Sequence, residues 1–109
     1  MTVHEMAERL SLTVLATPEA DREISGVYIG DLLSWVMGRA RGDQVWITIM
    51  SNINIVAVAT LADVACVILA EGVRPEAEII ETARQKGVNL YMSDKTAYEL
   101  AASLAELLK

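Results

Sequence analysis

The sequence predicts a single α/β domain over residues 1–109, built on a mostly parallel sheet of about five strands flanked by helices. Three observations predict it. Short β-branched runs alternate with helical stretches of about ten residues. Two of the runs, Val45-Trp46-Ile47-Thr48-Ile49 and Ala65-Cys66-Val67-Ile68-Leu69, are almost continuously apolar, as strands covered on both faces are. Punctuation is sparse, with six glycines and two prolines, and no repeat, linker or low-complexity tract appears.

The elements follow in order. Residues 3–9 read as a short first helix. Leu12 to Ala16 is a strand candidate that ends before Thr17-Pro18, and Pro18 to Glu23 is a polar loop. Ile24 to Ile29 is a second strand, interrupted by Gly26. Asp31 opens a helix, where a carboxylate can accept from free backbone N–H groups and complement the dipole. Gly42-Asp43 turns the chain into the third strand, Val45 to Ile49. Residues 52–61 carry both signals. Ile53, Ile55, Val56 and Val58 suit a strand. Ser51 or Asn52 as a cap, with Ala57, Ala59 and Ala62, suits a helix. A helix supplies the crossover that parallel strands need, and helix is the reading adopted. Ala65 to Leu69 is the fourth strand. Pro75 can occupy the first turn of a helix over Glu76 to Lys86, which ends at Gly87. Val88 to Met92 is the last strand. Ser93 or Asp94 then caps a final helix with Ala97, Leu100, Ala101, Leu104 and Leu108 on one face.

Composition excludes several functions. The net charge is −6, and only nine Lys and Arg residues are scattered along the chain. Nucleic acid and anionic membrane surfaces are bound by clustered cations, so neither is an expected partner. No apolar run reaches about 18 residues, so no transmembrane helix is expected. Met1 to Leu10 holds His4, Glu5, Glu8 and Arg9, which is unlike a signal peptide, and the cytoplasm is the expected location. One cysteine, Cys66, and one histidine, His4, leave no internal disulfide, no self-contained iron–sulfur cluster and no Cys/His zinc site. No metal or cofactor is expected. Cys66 lies in an apolar run and reads as a buried, inert thiol. No G-x-S-x-G, G-x-x-x-x-G-K-[ST] or G-x-G-x-x-G pattern occurs. The serines lack a histidine base, so the chain reads as a binder rather than an enzyme.

Hydrophobic residues make up 53% of the chain. A chain this short folds with a large surface, so part of that apolar material points to a subunit interface, most simply a twofold homodimer. Trp35 and Trp46 are each readable as an interface anchor or as core packing.

Ligands of open parallel sheets collect beyond the carboxyl ends of the strands. The loops expected there contribute Gly30 and Asp31, then Ser51, Asn52 and Asn54, then Glu71 and Gly72, then Ser93 and Thr96. Helix starts at Asn52 and Asp94 would offer free N–H donors to a phosphate or carboxylate. These nine residues are the candidate binding residues for a small anionic ligand or nucleotide.

The run Gly26-Val27-Tyr28-Ile29-Gly30-Asp31-Leu32-Leu33-Ser34-Trp35-Val36-Met37 resembles a DRTGG domain. Trp46-Ile47-Thr48-Ile49, Asn54-Ile55-Val56-Ala57-Val58-Ala59 and Glu71-Gly72-Val73 fit the same pattern in the same order. The resemblance runs from about residue 3 to 108. Asp21-Arg22-Glu23-Ile24-Ser25-Gly26 is a loose counterpart of the name-giving letters. Such domains are similar to the N-terminal domain of HPr kinase/phosphorylase and stand beside CBS domains in some pyrophosphatases. The resemblance implies a regulatory, dimer-forming domain with no reaction of its own. Free-standing versions are encoded near iron-only hydrogenases, which implies, as an alternative, an accessory subunit that binds a partner protein in a hydrogenase or redox complex.

Overall fold

A computed structural model describes residues 1–109. Five strands and five helices follow one another as α1 (Val3–Arg9), β1 (Thr13–Ala16), β2 (Gly26–Ile29), α2 (Leu33–Arg39), β3 (Gln44–Thr48), α3 (Asn54–Ala62), β4 (Cys66–Leu69), α4 (Ala77–Lys86), β5 (Leu90–Met92) and α5 (Ala97–Leu107). The strands form one sheet in the order β1-β5-β4-β3-β2. β2 to β5 are parallel, and only β1 runs antiparallel, against β5. The expected α/β class, with a mostly parallel sheet of five strands, is therefore what the chain forms.

Alternation along the strands divides the core between the two faces of the sheet. Trp46, Val67, Leu69, Leu90 and Met92 point to one face, where Val36 of α2, Ile55 and Ala59 of α3, and Ile79 and Ala83 of α4 cover them. Val45, Ile47, Cys66, Ile68 and Tyr91 point to the other, under Val3 and Met6 of α1 and Leu100 and Leu104 of α5. This double cover is why β3 and β4 read as continuous apolar runs. Residues 54–62 form the helix that the β3–β4 crossover requires, although their composition also suits a strand.

Local bonds shift several element starts from their expected positions. β2 begins at Gly26 rather than Ile24, because residues 22–24 pair instead with the chain start. Val3 N–H donates to Arg22 O (2.9 Å), and Ile24 N–H donates to Met1 O (2.9 Å). Asp31 does not cap α2. Its Oδ1 accepts from the Thr48 hydroxyl (2.8 Å) and from Ile49 N–H (3.0 Å), and the helix starts two residues later. Asn52 lies outside α3, where its Oδ1 accepts from Asn54 N–H (2.9 Å). Neither Ser93 nor Asp94 caps α5. Thr96 does, in a reciprocal capping box with Glu99. Pro75 precedes the α4 cap, Glu76, rather than sitting in the first turn. Gly87 ends α4 at φ +75°, the left-handed conformation expected of a terminal glycine.

The amino end of the sheet is tied by Arg22. Its guanidinium donates to Asp43 Oδ1 through Nε (3.0 Å) and Nη2 (2.5 Å), and to the carbonyls of Val64 (3.1 Å) and Asp63 (3.0 Å). One side chain thus joins the approach to β2, the approach to β3 and the end of α3. Asp21 beside it accepts from His4 N–H (3.0 Å) and secures α1. The loose counterpart of the DRTGG letters is therefore a structural clasp.

Candidate functional site at the carboxyl edge

Because β2, β3, β4 and β5 are parallel neighbours, the four loops that follow them leave the sheet at one edge. All nine candidate residues lie in these loops or at the helix starts beyond them. Eight of them fall into three groups, and Asn54 lies apart.

Gly30 and Asp31 are fastened to β3. Gly30 N–H donates to Ile47 O (3.2 Å), and the Trp46 indole donates to Gly30 O (2.9 Å). Trp46 is fully buried, so it serves the core, and its one polar atom is satisfied by this loop. Thr48, buried and absent from the sequence-based set, is the partner that fixes Asp31.

Glu71, Gly72, Ser93 and Thr96 belong to a second unit, in which two loops are laced together. Glu71 N–H donates to Lys95 O (2.8 Å), and Gly72 N–H to Ser93 O (2.8 Å). Glu71 (φ +59°) and Gly72 (φ +73°) are both left-handed. A Cβ on Gly72 would lie 3.1 Å from Asp94 Oδ1, so glycine suits both the backbone and the space. Ser93 Oγ accepts from Lys95 N–H (3.1 Å), and Thr96 Oγ1 accepts from Glu99 N–H (3.1 Å). The Glu99 carboxylate sits below its usual range, chiefly because it accepts from the Thr96 backbone and hydroxyl.

Ser51 and Asn52 form the third group with residues that sequence reasoning missed. A polar recess of about 480 Å³ lies between the β3–α3 and β4–α4 loops, lined by Ser51, Asn52, Ile53, Arg74, Glu76, Glu78 and Ile79. Arg74 is its only cation. It is exposed and makes no ion pair within the chain. In the sequence it stands in the β4–α4 loop, two residues after Gly72 and just before Pro75, with no motif to single it out. Asn54 lies beyond this recess, where it helps line a mostly apolar groove of about 480 Å³ between α3 and α4.

The chemistry of the edge follows from these partners. Asp31, Asn52, Ser93 and Thr96 each engage a side-chain oxygen with a backbone N–H, so they shape loops. The Arg74 guanidinium and the Ser51 hydroxyl make no bond within the chain. Asp31, Glu71, Glu76, Glu78 and Asp94 outnumber Arg74 and Lys95 at this edge, which opposes high negative charge on any ligand. No three His, Cys, Asp or Glu side chains converge in a metal-binding cluster, and no helix is long and apolar enough to cross a membrane. Elsewhere, burial pushes the Cys66 thiol and the Tyr91 hydroxyl both up to about 12, and the Tyr91 oxygen has no hydrogen-bond partner.

A comparison with curated proteins finds no match. Among solved structures, the fold matches the CBS and DRTGG domains of the regulatory region of Clostridium perfringens pyrophosphatase, solved with its activator, diadenosine tetraphosphate. The TM-score is 0.71 at 15% identity, over 92% of this chain and 44% of that one. This chain therefore spans less than half of that protein's solved length. The family model of the DRTGG domain matches residues 5–107, nearly the whole sequence, and the chain belongs to the DRTGG-domain family.

Proposed function

We propose that this chain is a non-catalytic regulatory or sensory domain that forms a homodimer and takes a small anionic metabolite or nucleotide at its carboxyl edge. The observation that carries the ligand half is the Arg74 recess. It offers one unpaired guanidinium and the Ser51 hydroxyl, with Ile53 and Ile79 as an apolar wall. A guanidinium binds phosphate or carboxylate through a planar fork of donors, and the wall suits a base or an alkyl chain. One cation among several carboxylates favours a ligand with a single phosphate or carboxylate over a polyphosphate. Regulation is supported by the setting of the structural match, a pyrophosphatase regulatory region crystallised with a nucleotide activator. Dimerisation is supported by the apolar content of 53% in so short a chain.

Thermal unfolding tests the ligand half, with inorganic phosphate, AMP, ATP and diadenosine tetraphosphate as probes. A probe present at about 100 times its dissociation constant stabilises the fold by about 2.7 kcal/mol. AMP is expected to give the largest shift, and Arg74→Ala to abolish it. No shift with any probe overturns the ligand half, and a chain that sediments as a monomer overturns the dimer half.

A further inference from the structure

A recess of about 420 Å³ lies between α1 and the edge strand β1. That volume falls in the range of small-molecule sites, which starts at about 300 Å³. One wall is helical. Positions 4, 7, 8 and 11 recur at helical spacing, so His4, Ala7, Glu8 and Ser11 present one side of α1 and its end to β1. The floor is apolar and is made by Leu12, Val14 and Tyr91. Val14 pairs with Tyr91 in the β1–β5 register and is 57% exposed, so the floor is open to solvent. This recess lies on the α1 face of the sheet, and the Arg74 recess lies on the opposite face, beside α3 and α4.

Tyr91 sets this recess apart. It is 1% exposed, and its hydroxyl is the one buried side-chain polar atom in the chain without a hydrogen-bond partner. Buried phenols and indoles ordinarily find one, as the Trp46 indole does at Gly30 O (2.9 Å). Tyr91 rises from β5 on the α1 side of the sheet, among Ala7 and Leu12. Its hydroxyl, at the tip of the side chain, therefore stands level with the helical wall. Burial, then Cys66 and Asp21 nearby, push it up to about 12, so at neutral pH it is an uncharged donor and acceptor. The charge around it is one-sided. Glu8 lines the recess, no Lys or Arg does, and the chain carries −6 overall. A phosphate or carboxylate would meet Glu8 with no cation to offset it, whereas an ammonium group would be drawn in.

We propose that the recess between α1 and β1 binds a small primary amine with an apolar body. The ammonium group sits between the Glu8 carboxylate and the Tyr91 hydroxyl, and the alkyl or aryl chain lies on Ala7, Leu12 and Val14. An ammonium has three donors and no acceptor, so it supplies the Tyr91 oxygen and the carboxylate at once. Hydrogen bonds with a charged partner are the strong ones, and a site walled from bulk water strengthens them. The Tyr91 hydroxyl is covered, so the amine reaches it past His4 and Glu8, whose side chains are exposed and can turn aside. Ser11 adds a second hydroxyl to the same wall. The site is separate from the Arg74 recess and selects the opposite charge.

Titration of the full chain with 2-phenylethylamine, read by backbone amide chemical shifts, tests this. 2-Phenylethanol and 3-phenylpropionate serve as the neutral and anionic counterparts. The amine is expected to saturate with a dissociation constant of about 1 mM, as suits so small a ligand, with the shifts gathered at Ala7, Leu12, Val14 and Tyr91. The alcohol should bind about tenfold more weakly, and the propionate should not bind. Tyr91→Phe should weaken the amine about tenfold, and its thermal midpoint without ligand should rise, because an unpaired buried hydroxyl is gone. Glu8→Gln, at an exposed position, should weaken the amine about threefold and leave the alcohol unchanged. No saturable shift with the amine, or shifts centred away from α1 and β1, overturns the site. Equal binding of the amine and the alcohol overturns the choice of ligand. A Tyr91→Phe variant that keeps its affinity for the amine, or that lowers the midpoint, shows that the hydroxyl already has a structural role and overturns it as the anchor. Phosphate and AMP should move amides around Arg74 instead, so either site can fail without the other.

Discussion

At the amino ends of the strands, one guanidinium gathers segments far apart in sequence, whereas at the carboxyl ends the loops are held by side-chain oxygens that each take a nearby backbone N–H. Arg22 reaches Asp43, Asp63 and the Val64 carbonyl, and its side chain is only 21% exposed. The carboxyl edge works through Asp31, Asn52, Ser93 and Thr96, each holding a backbone N–H within a few residues or one strand away. The difference separates two tasks. Long-range, partly buried ties secure the fold, and locally satisfied loops leave a charged side chain such as Arg74 available. Substitutions at the amino end should therefore change stability without touching ligand response, and substitutions in the recess should do the opposite.

The largest expected effect tests the burial beneath the Arg22 clasp. Cys66 opens β4 near Arg22 and is fully buried, and burial pushes its thiol from 9.0 up to about 12. The folded state keeps the proton over a range in which the unfolded state loses it. The resulting stability is fully present below about pH 9 and is lost as pH rises toward 12, by about 3–4 kcal/mol at the upper end. Tyr91, raised for the same reason, acts in the same direction. Urea midpoints should hold from pH 8 to about 9 and then fall as pH rises toward 11. Cys66→Ala should flatten that slope, and an unchanged slope would place the alkaline sensitivity elsewhere.

Next comes the clasp itself. Arg22→Ala removes hydrogen bonds to one carboxylate and two carbonyls, and should cost about 2 kcal/mol. Burial alone would disfavour the Arg22 charge, and Asp43 and Asp63 more than compensate, so Arg22→Lys should recover only part of the loss. Equilibrium denaturation gives both values. A response to phosphate probes that vanishes along with the stability would break the separation of the two ends.

At the carboxyl end the matching change is Thr48→Val. The side chain keeps its volume but loses the hydroxyl that donates to Asp31 (2.8 Å) and accepts from Met50 N–H (3.2 Å). About 1 kcal/mol is expected, less than at Arg22, because the groups left behind are near water. A loss larger than that of Arg22→Ala would invert the comparison.

The α/β class and all ten elements were legible in the sequence because hydrophobic period and crossover logic are properties of the chain alone. Residues 52–61 show the limit of periodicity. Their composition suits a strand, and only the need to return between parallel β3 and β4 made them a helix. The caps were less legible. Asp31 and Ser93 have the right side chains for a helix start, but Asp31 binds Ile49, which only the fold brings near, and Ser93 spends its hydroxyl on a local turn with Lys95 while Thr96 takes the cap. Trp35 and Trp46 could not be told apart in sequence. The structure buries Trp46 completely and leaves Trp35 half in water. Arg74 was overlooked because a lone cation among scattered charges has no pattern. It matters only where it meets Ser51 and Asn52 across the recess.

The smallest expected change in stability makes the sharpest test of the comparison. Arg74 is exposed and unpaired, so Arg74→Ala should shift the unfolding free energy by less than about 0.5 kcal/mol. Removing it leaves Glu76 and Glu78 without an opposing charge in the recess, which should lower affinity for any anion further than the loss of hydrogen bonds alone. Glu78→Gln should act in reverse, raising affinity for inorganic phosphate and AMP by a few-fold, because one carboxylate no longer repels them. That gain should shrink in high salt, as an interaction near water must. A titration of wild type, Arg74→Ala and Glu78→Gln at two ionic strengths separates the possibilities. If affinity tracks the charge of the recess while stability stays flat, the carboxyl edge binds without holding the fold together. If stability moves with affinity, Arg74 is another structural tie like Arg22, and the two ends of the sheet do not differ in kind.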